Sequence, residues 1–318
     1  MTKQRFKQMA IGLVVLLGLF FGYYYYKNIN PWDSIKSIPI GNVVRAPEFK
    51  YFIFGGENNP LALPLGVVAR NGEVYVSDSD RGQIEVFDYN GKLLRVIGDK
   101  GPGRLNHPYG MAFDGNELYV ADGGWGKILI FEPNGKFKRY FEPKEGAFFS
   151  TPAQLVIRDG KLMFPDLAMS KVFVFDLDGN LIMTFGNKGE GPGQMVKPHG
   201  LTVDNEGSFY VSDSNNNRVL KFSKEGKFIK FLGQKGDEPP NEILTPRSLA
   251  VDSRDNIYVV SGLGATVYVF HKEGQALYSF SKLNDQEGSL VLPSGIAIDE
   301  NNKIFVTETT GNRLSVFQ

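Results

Sequence analysis

The chain has 318 residues, 42% of them hydrophobic and 22% charged, which is ample for a large core. Its 35 Lys+Arg balance 35 Asp+Glu, so neither a nucleic-acid surface nor an acidic solvating tail is indicated. There is no cysteine, which excludes disulfides, thiolate metal sites, a cysteine nucleophile and lipoprotein acylation. The N-terminus, "MTKQRFKQM", carries Lys3, Arg5 and Lys7. Residues 10–26, "AIGLVVLLGLFFGYYYY", then run without a charge. That length is near the lower limit for a membrane-spanning helix, with Tyr23 to Tyr26 as an aromatic belt. The bulky "YYYYKNINPWD" offers no small-residue cleavage site, which favours an uncleaved signal anchor over a signal peptide. The basic flank places the N-terminus in the cytoplasm and the rest of the chain outside it. Residues 1–27 are thus the flank and transmembrane anchor, and 28–46 a linker. In that linker Trp32 suits either the membrane surface or packing on the folded part.

From residue 47 to 318 the chain repeats. Six segments begin at Pro64, Pro108, Pro152, Pro198, Pro246 and Pro293. Each reads as a short apolar strand, a polar turn, an alternating strand such as "EVYV", and a third strand ending in Phe. The Phe recurs six times, at Phe87, Phe131, Phe175, Phe222, Phe270 and Phe317. A Gly turn and a fourth strand follow the first five, as in "LLRVIGDKGPG". Four strands per repeat of this length predict propeller blades, and so an all-β, six-bladed β-propeller preceded by one transmembrane helix. The sixth repeat ends after its third strand, whereas "FKYFIFGG", starting at Phe49, has the shape of the fourth strand "GKFIKFLG". The N-terminal strand is therefore expected to pair beside "RLSVF", complete the last blade and remove its exposed edge.

The Pro-x-Gly starts at Pro64, Pro108, Pro198 and Pro293, with the core "YVSDSNNNRVLKF" from Tyr210, resemble the NHL-repeat family of six-bladed propellers, in a membrane-anchored bacterial setting. The resemblance covers about residues 47–318. It is specific for fold and weak for function, since one fold hosts many activities. Blade three departs at "LMFPDLAMSK", and blade five carries Ser261 where an acid is expected, so altered loops are expected in both.

Three features imitate chemistry. "GDKGPG" and "GNKGEGPG" look like phosphate loops but lack the following helix and the Lys-Ser/Thr pair, so both are turns. Asp78, Asp122, Asp166, Asp213 and Glu308 recur six residues before the third strand. A position repeated in so many blades argues for accepting backbone N–H groups of the following turn, with Arg218 and Arg313 as ion-pair partners, rather than for a metal ring. His107 and His199 sit in equivalent loops one residue out of register, while His271 belongs to the other end; this is a weak zinc signal. The resemblance implies that some relatives are metal- and histidine-dependent lyases and that others, similar to gluconolactonases, hold calcium; neither residue set maps onto this chain.

Loops preceding each first strand and following each second strand share one face of a propeller. That face collects Tyr109, Trp125, Lys127, His199, Asn215, Asn216, Arg247 and Asn312, together with Asp80, Arg81, Met169 and Leu263. Trp, Tyr and Arg are residues of binding hot spots, against the plainer reading of ordinary variable loops. The sequence therefore points to a membrane-anchored, extracytoplasmic scaffold that binds a protein or ligand in the cell envelope. Its alternative is a metal-dependent lyase or hydrolase on the same fold. No catalytic residue and no cofactor is assigned, a calcium or zinc ion being left open. RNA binding, known for some NHL proteins, fits poorly with zero net charge and an external location.

Overall fold

The computed structural model describes residues 46–56, 59–144, 146–232, 243–281 and 288–318. The expected membrane span and most of the linker lie outside these residues. Among those described, no helix is long and apolar enough to cross a membrane.

Six antiparallel four-stranded sheets form the blades. Blade one comprises Pro64–Arg70, Glu73–Asp78, Gln83–Asp88 and Leu93–Ile97. Blade two comprises Pro108–Asp114, Glu117–Asp122, Lys127–Phe131 and Phe137–Tyr140. Blade three runs Val156–Arg158, Lys161–Asp166, Lys171–Asp176 and Leu181–Phe185. Blade four runs Pro198–Val203, Phe209–Asp213, Arg218–Phe222 and Phe228–Leu232. Blade five runs Pro246–Val251, Ile257–Ser261, Thr266–Phe270 and Ala276–Phe280. Blade six has Pro293–Ile298, Ile304–Glu308 and Arg313–Phe317, and its outer strand is Phe49–Ile53. The expected closure is present: Phe49 pairs with Phe317 and Ile53 with Leu314, while Glu48 and Gln318 exchange two backbone hydrogen bonds.

The middle strands are buried because both of their faces meet neighbouring blades. All six Phe residues that end third strands are at most 2% exposed. The Gly turns after them demand glycine: Gly179 has φ 92°, and a Cβ there would lie 2.2 Å from the Glu142 carbonyl oxygen. First strands of neighbouring blades lie side by side around the axis. The glycine of Pro-x-Gly makes this approach possible. A Cβ on Gly66, Gly110, Gly200 or Gly295 would lie 1.9–2.4 Å from the carbonyl oxygen of the x residue in the next blade, Tyr109, Ala153, Arg247 and Leu65 respectively.

Hydroxyls stitch the same junction. Ser77 Oγ accepts the Gly66 N–H at 2.7 Å and donates to the Tyr109 carbonyl at 2.8 Å. Thr307 Oγ1 accepts the Gly295 N–H and donates to the Leu65 carbonyl, both at 2.7 Å. In blade three Pro165 takes the place of that hydroxyl, and the Gln154 N–H donates directly to the His199 carbonyl at 3.2 Å. The x residues of all six blades are thereby set in a ring about the axis.

Removing residues 1–44 should leave a folded propeller, whereas removing residues 1–57 should strip the outer strand of blade six. Ile53 is only 2% exposed, and its burial alone contributes about 1.5–3 kcal/mol. With the ladder and partly buried Phe49, Tyr51 and Phe52, the second truncation should melt roughly 10 °C lower than the first. Equal melting temperatures by circular dichroism would refute the closing role of this strand.

Candidate functional site

At the end of the ring where the loops preceding the first strands gather, a funnel of about 460 Å³ opens. Its wall includes Leu63, Leu65, His107, Tyr109, Leu167, His199, Arg247 and Leu292. Four of these, Leu65, Tyr109, His199 and Arg247, are x residues of the Pro-x ring. The stitch fixes their backbones and leaves their side chains to define the mouth. His107 and His199, expected to share a mouth, both line it.

The axis below the funnel is filled. Blades three and five lack the glycine of Pro-x-Gly and present Gln154 and Ser248 instead. The Gln154 amide nitrogen donates to the Leu249 carbonyl at 2.7 Å. Its oxygen accepts from Ser248 Oγ at 2.9 Å and from the Leu249 N–H at 3.0 Å. A void of about 20 Å³ lies beside them. The funnel is thus a blind pocket rather than the mouth of an open channel. Sequence reading missed Gln154 and Ser248, although the signal was available: they are the non-glycine residues at a position where four blades keep glycine.

The mouth has an unusual polar inventory. Tyr109 is 8% exposed, and neither its hydroxyl nor the Ser294 hydroxyl has a partner in hydrogen-bond geometry. Burial raises the Tyr109 pKa, outweighing the opposing pull of the nearby Arg247 charge and Ser294. His199 turns Nδ1 toward the Lys197 carbonyl at 3.0 Å and Ser214 Oγ at 2.8 Å. A carbonyl only accepts, and Ser214 spends its own proton on the Pro246 carbonyl. Nδ1 therefore carries the imidazole proton, and Nε2 is a lone-pair acceptor. Burial first, then the Arg247 charge, lowers the His199 pKa from 6.5 to about 4. Arg247 is half-buried, its stem packs by Gly262, and its Nε is buried without a partner.

The recurrent acids do not enter the funnel. Asp78 accepts the Ala62 and Leu63 N–H groups, and Asp122 those of Asn106, His107 and Trp125. Asp166 accepts four, from Ser150, Thr151, Ala168 and Met169. Their structural role is as expected, but the donors differ. In every one of these blades the carboxylate grips the loop leading into the first strand, and only in blades two and three does it also accept backbone N–H groups of the following turn. The reason is geometric: the second strand ends beside the start of the first, as in the Pro108–Asp122 pairing. Arg218 and Arg313 pair with Asp213 and Glu308, at 3.1 and 2.8 Å. Ser261 in blade five reverses the polarity, donating to the Leu244 carbonyl. Among the described residues no group of three or more His, Asp or Glu is placed to hold a metal ion.

The other expected face residues are dispersed. Trp125 is 53% exposed beside the funnel, with its indole N–H on the Arg104 carbonyl at 3.1 Å. Lys127 lies over the Tyr140 ring at the outer strand. Asn215 is exposed. Asn216 is spent on the Gly189 carbonyl and Asp213. Asn312 faces the Thr309 and Ala62 carbonyls, to which its amide donates. A second cleft, about 320 Å³, lies at the opposite end between blades three and four. Its Arg158 is committed to the Val203 and Asp204 carbonyls. We therefore place the candidate site in the mouth, where polar atoms lack partners.

A histidine held neutral makes stability depend on pH. The unfolded chain takes up a proton near pH 6.5, whereas folded His199 resists until about pH 4. The His199 contribution is thus complete above pH 6.5 and lost as pH falls toward 4. Melting temperatures from pH 7 to 4.5 should fall less steeply for His199→Gln than for the parent. Parallel curves would show that the imidazole titrates normally.

An NHL-repeat profile matches residues 196–222, the start and core of blade four. Protein lin-41 of Caenorhabditis elegans is 48% identical over 48 residues, which is 15% of this chain and 4% of that protein. The E3 ubiquitin-protein ligase TRIM71 of Rattus norvegicus is 40% identical over 47 residues, 15% of this chain and 6% of that protein. The similarity thus spans only a small part of these curated relatives. Among solved structures, a gluconolactonase of Xanthomonas campestris superposes with a TM-score of 0.62 at 17% identity, covering 88% of this chain and 98% of that one. A streptogramin B lyase superposes at 0.58 and 13% identity, covering 84% and 97%. These likenesses concern the fold. With the repeat matched in blade four and the same blade built six times around one axis, the chain is a six-bladed β-propeller that carries an NHL repeat in blade four.

Proposed function

We propose that this propeller is a binding module of the cell envelope, held at the outer face of a membrane by residues 10–26, with the mouth and the Trp125 loop as its docking face. The observation that carries the reading is the division of labour among charges. The recurrent acids are consumed in holding loops. The mouth keeps an unpaired arginine, a neutral histidine and apolar walls. Such a surface is suited to holding a partner by burial and a few directed polar contacts. The gluconolactonase and the lyase among its fold relatives supply the second reading, a metal-dependent lyase or hydrolase. Stoichiometric divalent metal in the purified protein would favour that one.

Capture from detergent-solubilised membranes, followed by mass spectrometry, tests the face. Trp125→Ala should shift stability by no more than about 0.5 kcal/mol, as for a surface site. It should nevertheless weaken capture by about 30-fold, the equivalent of ~2 kcal/mol at a hot spot. Phe222, 1% exposed, serves as the core control, and its truncation to Ala should cost about 3–5 kcal/mol. Full capture by folded Trp125→Ala and Arg247→Ala variants would move the docking face elsewhere. A reporter fused after Gln318 should be active only outside the cytoplasm, and a soluble mature form starting near Lys27 would refute the anchor.

A further inference from the structure

The mouth defines the chemistry of what it holds. Its wall contains no Asp or Glu, so the Arg247 charge has no counterion there. Among the described residues the guanidinium makes no ion pair, and its Nε is buried without a partner. A cation left unpaired among leucines is costly, and an anion in the funnel removes the cost. The wall holds no lysine and no second arginine. His199 adds no charge at neutral pH, because burial beside Arg247 keeps the ring neutral, and its one proton sits on Nδ1, spent on Lys197 and Ser214. A dianion would leave one negative charge uncompensated between Leu63, Leu167 and Leu292, so a monoanion fits better than a phosphate. Arginine matches a carboxylate in particular, since its planar fork meets two oxygens at once.

His199 adds a second requirement. Its Nε2 has no partner and is not sealed from solvent, and the ring lines the funnel. As a lone-pair acceptor it repels a carboxylate oxygen and calls for a donor N–H beside the acid. The leucines around both groups call for an apolar substituent. A carboxylate, an adjacent amide N–H and an apolar side chain are the features of one chemical unit, an N-acylated apolar amino acid. We propose that the funnel binds this unit, with the carboxylate on Arg247, the amide N–H toward His199 Nε2 and the side chain among Leu63, Leu167 and Leu292. The unit occurs as a free N-acyl amino acid and as the C-terminal residue of a polypeptide. The proposal rests on the reading of the mouth as the docking face. A volume of about 460 Å³ admits one such residue with part of its acyl neighbour.

Titration calorimetry on the full chain would use N-acetyl-leucine, N-acetyl-leucinamide, 4-methylpentanoate, and a hexapeptide ending in leucine with a free or an amidated C-terminus. The free acid should bind at least 10-fold more tightly than its amide, and more tightly than 4-methylpentanoate, which lacks the N–H. Arg247→Gln, with its melting temperature retained, should abolish the preference for acid over amide. A peptide that binds more tightly than N-acetyl-leucine would identify a polypeptide terminus as the source, and the reverse order a free metabolite. Equal binding of acid and amide, unaltered acid binding by folded Arg247→Gln, or no binding of any of these compounds at millimolar concentration would overturn the proposal. If it falls while Trp125→Ala still loses partner capture, the docking face stands and only the ligand chemistry is wrong. If capture is also indifferent to Trp125, the face itself is wrong.

Discussion

The close approach between the first strands of neighbouring blades is the constraint on which the rest depends. In four junctions a glycine Cα faces the carbonyl of the next x residue with no room for a Cβ, and in two of them a Ser or Thr hydroxyl bonds both groups. Such a buried hydroxyl must find partners or cost free energy, and here it finds two in different blades. This stitch fixes the relative position of two sheets. It also satisfies backbone groups that the short inner strand leaves without ladder partners, near the bulge between Pro64 and Val67 and its equivalents.

The same constraint explains the site. The stitch grips the carbonyl of the x residue and leaves its side chain toward the axis, where Leu65, Tyr109 and Ala153 pack together beneath the mouth. Leu65, Tyr109, Ala153, His199, Arg247 and Ser294 occupy these positions. The fold thus separates repeated scaffold from variable chemistry at adjacent positions of one tripeptide. One residue further on, four glycines would leave the axis hollow. Gln154 and Ser248 fill it and bond to each other, which turns a channel into a pocket with a floor.

The fold was legible in the sequence because it is repeated. A Phe at the end of six third strands, five Gly turns and six prolines gave each assignment several independent supports. The missing strand of blade six was legible by subtraction, since one strand was lacking at one end and one was left over at the other. The mouth was legible only in part. Tyr109, His199 and Arg247 were placed at the end of the ring that carries the funnel by their position in the repeat. Which face residues converge depends on side-chain direction, and there the loops diverge: Lys127 turns outward onto Tyr140, and Asn216 and Asn312 turn inward onto backbone carbonyls. A polar residue in a loop can serve the ligand or its own backbone, and composition does not distinguish the two.

The acids illustrate the same ambiguity resolved by repetition. A lone buried Asp near a mouth is a catalytic candidate, but Asp78, Asp122, Asp166 and Asp213, each 0% exposed, all grip the loop that enters their own blade. The preserved pattern marks architecture, and departures from it mark function or its support. By that criterion the informative positions are those where a blade breaks the rule: Gln154 and Ser248 where glycine is usual, and Ser261 where an acid is usual. All three lie in blades three and five, the blades that flank His199 and supply Arg247. The mouth draws Arg247 from one of these irregular blades, while Leu65, Tyr109 and His199 come from blades that keep the glycine.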